Sequence, residues 1–295
     1  MTSDPDALSR LPVRKTYKLF IGGAFPRSES GRVYPVHAAS GELIAHAAQA
    51  SRKDLRDAVL AARGVFGKWS GATAYNRGQV LYRIAEMLEG RRAQFAEEVA
   101  AAEGVTHDAA VVEVDRAIDR WVHYAGWADK YAQIVGSTNP VAGPYFNFSL
   151  PEPTGVVGVL APQDTSLLGL VSVLAPVLTT GNTAVVVASG ARPLPASSFA
   201  EVLATSDLPG GTVNLLTGAP AELAPWLAGH RDVNALDLTG CADDLALRTE
   251  LQVAAADNVK RIFVPRHGEN WRDDPGLTRL NAFVETKTVW HPIGV

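Results

Sequence analysis

The sequence contains a single cysteine, Cys241, so no disulfide can form within the chain. One thiol also excludes a zinc or iron–sulfur centre built from cysteines. No His-x-x-x-His or paired His/Asp spacing indicates a metal site, and His230 and His267 are expected at the surface. These absences direct the search for function away from metal and disulfide chemistry.

The chain also lacks a long apolar run and a basic cluster. Its apolar runs are well short of the roughly 20 residues that a membrane-spanning helix needs. A net charge of −4 gives no reason to expect a nucleic-acid partner. The polar residues at the start have no signal-peptide pattern, so 1–16 is expected to be a flexible leader and the protein to be cytoplasmic.

Short strands followed by amphipathic helices are predicted for the first part of the chain. Residues 17–51 give two or three strands separated by Gly-Gly and Ser-Gly turns. Ser51 or Asp54 then caps a first helix, a second begins near Asn76, and a third runs from about Asp108 to Tyr131. The expected inward positions are Leu55, Val59, Ala62 and Phe66, then Val80, Leu81, Ile84, Leu88 and Phe95, then Val112, Ile118, Val122 and Ala125.

Two segments have the alternating pattern of half-exposed strands. In 136–150 the residues Phe146, Phe148 and Leu150 alternate with Tyr145, Asn147 and Ser149, which predicts a half-buried strand. Near the end, Thr286, Thr288 and Trp290 alternate with Lys287 and Val289. This terminal strand must pair with the 136–150 hairpin or with another chain.

Between these segments lie strand-like runs near Val156, Ala184, Val213, Ala235 and Ile262. Helical segments of roughly 10–15 residues separate them, which is the spacing of right-handed crossovers in a parallel sheet. We therefore predict an α/β fold with a doubly wound, Rossmann-like parallel sheet, N-terminal helices and a protruding β-hairpin with an arm strand.

Four motifs carry a resemblance to a known family. The stretch 153–189, PTGVVGVLAPQDTSLLGLVSVLAPVLTTGNTAVVVAS, is followed by LPGGTVNLLTG, HRDVNALDLTG and, near the end, ETKTVWHPIG. In this order and spacing they resemble the N-terminal half of the NAD(P)-dependent aldehyde dehydrogenases. The resemblance implies a cofactor-binding domain (17–135 and 151–265), a remnant of the catalytic-domain insertion (266–282), and an oligomerisation hairpin with its arm (136–150 and 283–295).

Most positions to which the resemblance assigns chemistry hold other residue types. Only ~20 residues occupy the gap where the family carries its Cys nucleophile, and the Glu that activates water is missing. Asp164 replaces the Asn that stabilises the oxyanion, Val187 the Lys that binds ribose, and Leu245 a Gly of the phosphate loop, beside Asp243 and Asp244. The resemblance implies NAD(P), but these changes argue against it; the remaining cofactor-binding candidates are Pro162, Ser189, Gly218, Gly240 and Cys241.

Two vestigial catalytic positions have simpler interpretations. Cys241 could be a nucleophile near a helix N-terminus, which lowers a thiol pKa, but a small, partly buried loop residue is favoured because no base stands beside it. Asp164 is expected to cap the following helix rather than to act as an acid. Trp226 and Trp290 are expected in packing, with Trp290 a candidate for an oligomer interface.

The last 35 residues resemble one particular family among the aldehyde dehydrogenases. RIFVPRHGENWRDDPGLTRLNAFVETKTVWHPIGV is similar to the end of the truncated, second dehydrogenase-like copy in the sixteenth aldehyde dehydrogenase family. We therefore expect a non-catalytic subunit that assembles with a complete aldehyde dehydrogenase or with itself. The expected interface residues are Phe146, Phe148, Thr286, Thr288 and Trp290. The alternatives are an NAD(P)-dependent aldehyde oxidoreductase and a nucleotide-binding module without chemistry.

Overall fold

The computed structural model describes residues 13–265 and 269–294. The expectations for His267 and for leader residues 1–12 therefore lie outside the described residues. The chain opens with a small sheet in the order β1-β3-β2, formed by β1 (Thr16–Tyr17), β2 (Val33–His37) and β3 (Leu43–Ala48).

A helical layer follows this sheet, and Ser51 caps its first helix. The Ser51 hydroxyl accepts the N–H groups of Lys53 and Asp54, and the Asp54 carboxylate accepts the Ser51 N–H, so the two residues cap α1 reciprocally. The helices are α1 (Arg52–Ser70), α2 (Ala74–Glu89), α3 (Arg92–Glu103), α4 (His107–Trp127) and α5 (Tyr131–Val135).

Two expectations for these helices were wrong. The segment after Asn76 contains two helices, because the first of them ends at Gly90. The second, α3, packs against α4. On α4, Val112 and Val122 are exposed rather than inward. The buried stripe instead follows Val114, Ile118 and Trp121, whose spacing of three to four residues faces the other helices.

The central layer is a parallel sheet in the order β10-β9-β6-β7-β8, as the sequence predicts. Its side chains alternate between two cores: Val157 and Val186 pack toward α2, α4, α6 and α7, and Val185 and Leu236 toward α1, α8 and α9. The elements are β6 (Val156–Leu160), α6 (Leu168–Thr179), β7 (Thr183–Val187), α7 (Leu194–Ala204), β8 (Val213–Leu216), α8 (Pro220–Gly229), β9 (Ala235–Asp237), α9 (Leu245–Ala256) and β10 (Arg261–Phe263).

An antiparallel arm sheet in the order β11-β5-β4 extends from this core. The terminal strand pairs along β5 from Val284 opposite Pro153 to Pro292 opposite Tyr145, so its partner is the hairpin of the same chain. The elements are β4 (Ser137–Asn139), β5 (Tyr145–Pro153), α10 (Thr278–Ala282) and β11 (Val284–Pro292).

The polarity of β5 differs from the expected pattern. Asn147 is buried, with its side-chain oxygen accepting from Asn139, whereas Phe146 and Leu150 are exposed. Trp290 on β11 is also 58% exposed and contacts Tyr145 edge-on at 5.8 Å. The arm therefore presents apolar side chains outward. No helix among residues 13–265 and 269–294 is long and apolar enough to cross a membrane.

Candidate functional site

The loops at the carboxyl ends of β6, β9 and β10 enclose a cavity of about 490 Å³. This edge of a parallel sheet is where open α/β folds bind ligands. The cavity brings together Pro162, Asp164, Gly240 and Cys241 among the residues that the sequence singles out. Ser189 and Gly218 follow β7 and β8 and do not line it.

Asp164 is exposed and does not cap α6, contrary to the expectation. The donors near the start of α6 are satisfied by glutamates from two other helices. Glu103 of α3 accepts the Ser166 N–H at 2.6 Å and its hydroxyl at 2.7 Å, and Glu113 of α4 accepts the Thr165 hydroxyl at 3.2 Å. Because these carboxylates occupy the start of α6, Asp164 is left facing solvent.

Glu113 is a carboxyl group near the cavity whose pKa is strongly shifted. Burial, the negative charge of Glu103 and a side-chain hydrogen bond to Glu103 raise the pKa of Glu113 to about 7. Hydrogen bonds from the Leu168 N–H and the Thr165 hydroxyl lower this pKa and only partly offset the rise. Glu113 therefore gains or loses its proton near neutral pH. Sequence reasoning missed both glutamates, because each lies on a helix that looks like scaffold.

Gln163 and Arg192 fix the loop after β6 over the end of β7. The Gln163 side chain donates to the Ala161 carbonyl at 2.7 Å and accepts the Gly190 N–H at 3.0 Å. Arg192 donates to the carbonyls of Gln163 and Asp164. The polar groups of this turn are therefore bonded within the protein, and sequence reasoning singled out neither residue.

Cys241 lies in a 3-10 turn and is only 4% exposed. Its thiol donates to the Leu238 carbonyl at 3.4 Å. Burial, followed by the charge of Asp244, raises the pKa of Cys241 to about 11, which is opposite to the lowering that a helix N-terminus would give. At pH 7 such a thiol is ionised in roughly one molecule in ten thousand.

Gly240 and Asp244 have structural reasons for their positions. A Cβ on Gly240 would lie 2.2 Å from the Ala161 carbonyl oxygen, so glycine is required for the turn to pack on the end of β6. Asp244 caps α9 by accepting the Leu247 N–H at 3.0 Å, as the acidic pair in the sequence suggests. Leu245, in place of a phosphate-loop glycine, is exposed.

A buried ion pair closes the cavity from the side of the predicted insertion remnant. Arg279 donates to the fully buried Asp237 at 2.8 Å and also to Glu269. Its guanidinium lies over the rings of Phe263 at 4.6 Å and Trp271 at 5.4 Å. Burial raises the pKa of Asp237, although Arg279 and Thr239 oppose the shift. The sequence contained no signal for this contact.

The described lining of the cavity fits a dinucleotide poorly. Asp164, Asp243, Asp244 and Glu269 contribute four carboxyl groups, and no lysine or arginine is among the described lining residues. Phosphate groups would meet like charges there. Val187, which the resemblance places at a ribose-binding position, is buried in β7 and its side chain has no polar group.

The remaining sequence candidates lie outside the cavity. His230 is half-buried, with its Nδ1 accepting the Asp232 N–H. Trp226 is 45% exposed rather than packed inside, and the Arg52 guanidinium lies 3.9 Å from its ring. Within the described ranges, no group of three or more His, Cys, Asp or Glu residues could hold a metal ion.

Comparisons with known proteins agree on the ancestry. The chain matches the aldehyde dehydrogenase family over residues 25–270. It is 32% identical to cytosolic 10-formyltetrahydrofolate dehydrogenase of Pongo abelii, covering 90% of this chain and 30% of that protein. It is 33% identical to human (Homo sapiens) retinal dehydrogenase 2, covering 90% of this chain and 51% of that protein.

Solved structures show the same relationship. The aldehyde dehydrogenase of Bacillus cereus in its NAD⁺ complex superimposes with a TM-score of 0.78 at 26% identity, covering 84% of this chain and 50% of that one. HpcC of Thermus thermophilus superimposes with a TM-score of 0.78 at 31% identity, covering 84% of this chain and 47% of that one. The chain thus spans about half the length, or less, of these proteins, and it belongs to the aldehyde dehydrogenase family.

Proposed function

We propose that this protein is a non-catalytic subunit that assembles with a complete aldehyde dehydrogenase in the cytoplasm. In this respect it would resemble the truncated second copy in the sixteenth aldehyde dehydrogenase family. The observation that carries the proposal is an intact arm sheet beside a sheet edge whose described residues offer no accessible nucleophile. Only the 20 residues 264–283 separate β10 from β11, which leaves no room for a substrate-binding domain between them.

The arm sheet has the properties of an assembly surface. β11 lies at the end of the sheet, and none of the described strands pairs with its outer edge along nine residues. Such an edge offers unpaired N–H and C=O groups to another chain. Phe146 and Leu150 are each more than 40% exposed on one face of this small sheet, and Trp290 is on the other face. Neighbouring exposed apolar side chains, such as Phe146 and Leu150, mark protein–protein contact sites.

The alternative of an independent aldehyde oxidoreductase has less support. Its only available thiol is Cys241, which is buried and has a pKa of about 11. Asp164 stands where an oxyanion donor is needed, and an ionised carboxylate cannot donate a hydrogen bond. A nucleotide-binding module would need the cavity to accept phosphate beside four described carboxyl groups.

Co-expression with the complete aldehyde dehydrogenase of the same organism tests the proposal. We expect the two proteins to co-purify as one species, as measured by size-exclusion chromatography with mass determination. Phe146→Glu and Trp290→Glu change exposed arm residues on opposite faces, and at least one should weaken assembly by tenfold or more, on the order of 1.4 kcal/mol.

Leu60→Glu is the matched control, because Leu60 is 53% exposed on α1, away from the arm. It should leave assembly unchanged. A lone monomer that never binds the dehydrogenase would contradict the proposal. NAD-dependent aldehyde turnover by the isolated chain that is lost in Cys241→Ser would instead favour the oxidoreductase.

A further inference from the structure

A groove between α1 and α8 forms a second cavity, on the opposite face of the sheet from α6. Its volume is about 800 Å³, within the range of small-molecule sites. The apolar part of its lining is Leu55, Pro225 and Trp226. The charged part consists of Arg52, Lys53, Arg56, Arg231 and Glu29. The groove is thus amphipathic, with an excess of positive charge.

Arg52, Lys53 and Arg56 lie at the end of α1 where the helix dipole disfavours positive charge. Arg52 and Lys53 occupy the first two positions of α1, and Arg56 follows in the second turn. The N-terminal end of a helix carries a partial positive charge, so cations there reduce helix stability by a few tenths of a kcal/mol each. Helix capping does not explain them, because Ser51 and Asp54 already form the cap. A bound anion would offset the repulsion.

The neighbouring carboxylates neutralise only part of this charge. Lys53 lies 4.0 Å from Glu29 and 3.9 Å from Asp57, and Arg56 lies 3.4 Å from Asp57. Within the described part of the chain, neither Arg52 nor Arg231 forms an ion pair with a carboxylate. Two guanidinium groups therefore remain for an external anion, in a protein whose net charge is −4.

Arg52 is oriented by the aromatic ring beneath it. Its guanidinium carbon lies 3.9 Å from the centre of the Trp226 ring, a cation–π contact that favours a position of the group over the indole. The edge of a stacked guanidinium keeps its N–H donors free for a phosphate or carboxylate. His230 adds a further donor, because its Nδ1 accepts the Asp232 N–H and the proton of the neutral ring is then on Nε2.

We propose that this groove binds a phosphorylated small molecule with a flat apolar body, such as a nucleoside diphosphate. The flat body lies against Pro225 and the exposed part of Trp226 that Arg52 leaves uncovered, and the phosphates face Arg52 and Arg231. The site is separate from the cavity at the carboxyl ends of β6 and β9, where the described lining is acidic.

The full-length chain titrated with ADP, with pyrophosphate and with adenosine tests the proposal by isothermal titration calorimetry. ADP should bind at least about tenfold more tightly than pyrophosphate or adenosine. Pyrophosphate lacks the flat apolar body, and adenosine lacks the negative charge. Arg52→Gln combined with Arg231→Gln should weaken ADP binding about tenfold or more, since charge-assisted hydrogen bonds are lost. Both residues are exposed, so the variant is expected to fold.

Arg83→Gln is the matched control, because Arg83 is an exposed arginine of α2 paired with Glu86. It should leave ADP affinity unchanged. ADP binding that persists in the double arginine variant would place the nucleotide elsewhere and overturn the proposal. Pyrophosphate that binds as tightly as ADP would overturn the assignment of a flat body. Loss of dehydrogenase assembly in the variant without any ADP binding would identify a protein-docking surface instead.

Discussion

Residues 103 and 113 show how a single proton can affect this fold. Glu103 and Glu113 come from different helices and together bond the donors before and at the start of α6. Burial, and then repulsion between the two carboxylates in contact, raises the pKa of Glu113. The structure therefore couples the loop that contains Asp164 to pH through two glutamates of the helical layer.

Glu113→Gln is expected to change the pH dependence of stability. The pKa of Glu113 is about 7 in the folded protein and near 4.5 when unfolded, so the folded state binds the extra proton in this range. Its stabilisation is complete below pH 4.5 and is lost as the pH rises through 7, at a cost of up to about 3 kcal/mol. The glutamine variant should therefore be more stable than the parent at pH 8 and similar at pH 5.

Urea unfolding across this pH range measures the effect. Glu250→Gln on the exposed face of α9 serves as the control and should follow the parent curve. A Glu113→Gln curve parallel to that of the parent would show that Glu113 ionises normally in the folded state.

Cys241 should be unreactive in the folded protein. Because its pKa is about 11 and its side chain is 4% exposed, alkylation by iodoacetamide at pH 8 should be at least roughly 100-fold slower than in the urea-unfolded chain. Mass spectrometry of timed aliquots gives both rates, with Cys241→Ser as the unlabelled control. Fast labelling of the native chain would contradict this prediction and favour the hypothesis that Cys241 is a nucleophile.

At the scale of elements, one side chain fastens the arm to the sheet. The Asn182 oxygen accepts the Gly155 N–H before β6 at 2.8 Å, and its nitrogen donates to the Phe283 carbonyl before β11 at 2.8 Å. A further bond at 2.9 Å joins it to Thr180 in its own turn. Asn182 is fully buried, so water cannot replace these partners.

Asn182→Ala should lower the free energy of unfolding by about 3 kcal/mol, because it leaves buried polar groups unpaired. The amide protons of β11 should also exchange faster, since the strand loses its attachment to the core. Denaturant unfolding and hydrogen exchange measure the two effects. Asn76→Ala, at an exposed position of α2, should change stability by less than about 0.5 kcal/mol. Equal losses in both variants would contradict this role.

At the scale of the whole molecule, the fold of a dinucleotide-binding protein is combined with an acidic sheet edge. We expect millimolar NAD or NADP to leave the melting temperature of the Arg52→Gln/Arg231→Gln variant unchanged, because its groove between α1 and α8 is disabled and the acidic sheet edge repels phosphate. A ligand bound at 100 times its dissociation constant would add about 2.7 kcal/mol to stability. The aldehyde dehydrogenase of Bacillus cereus, whose NAD⁺ complex is known, is the positive control in the same buffer. A clear rise for this variant would favour the nucleotide-binding alternative.

Much of the fold could be predicted because neighbouring residues encode it. The continuous valine runs of β6 and β7 indicate strands buried on both faces, and their helical spacers fix a parallel order. The same reasoning predicted that the terminal strand pairs with the 136–150 hairpin or with another chain, and it pairs with the hairpin strand β5. It failed for β5, because Asn139 and Asn147 form a polar contact that makes the buried side of the strand polar.

The sequence by itself determined the family, the parallel sheet and the residue types at the positions to which the resemblance assigns chemistry, since motifs of adjacent residues are sufficient for each. Only the tertiary structure decided what now occupies those positions. Arg279 reaches Asp237 across 42 residues, and Glu103 reaches Ser166 across 63. Such contacts depend on how whole elements pack, and no local pattern of polarity or spacing records them.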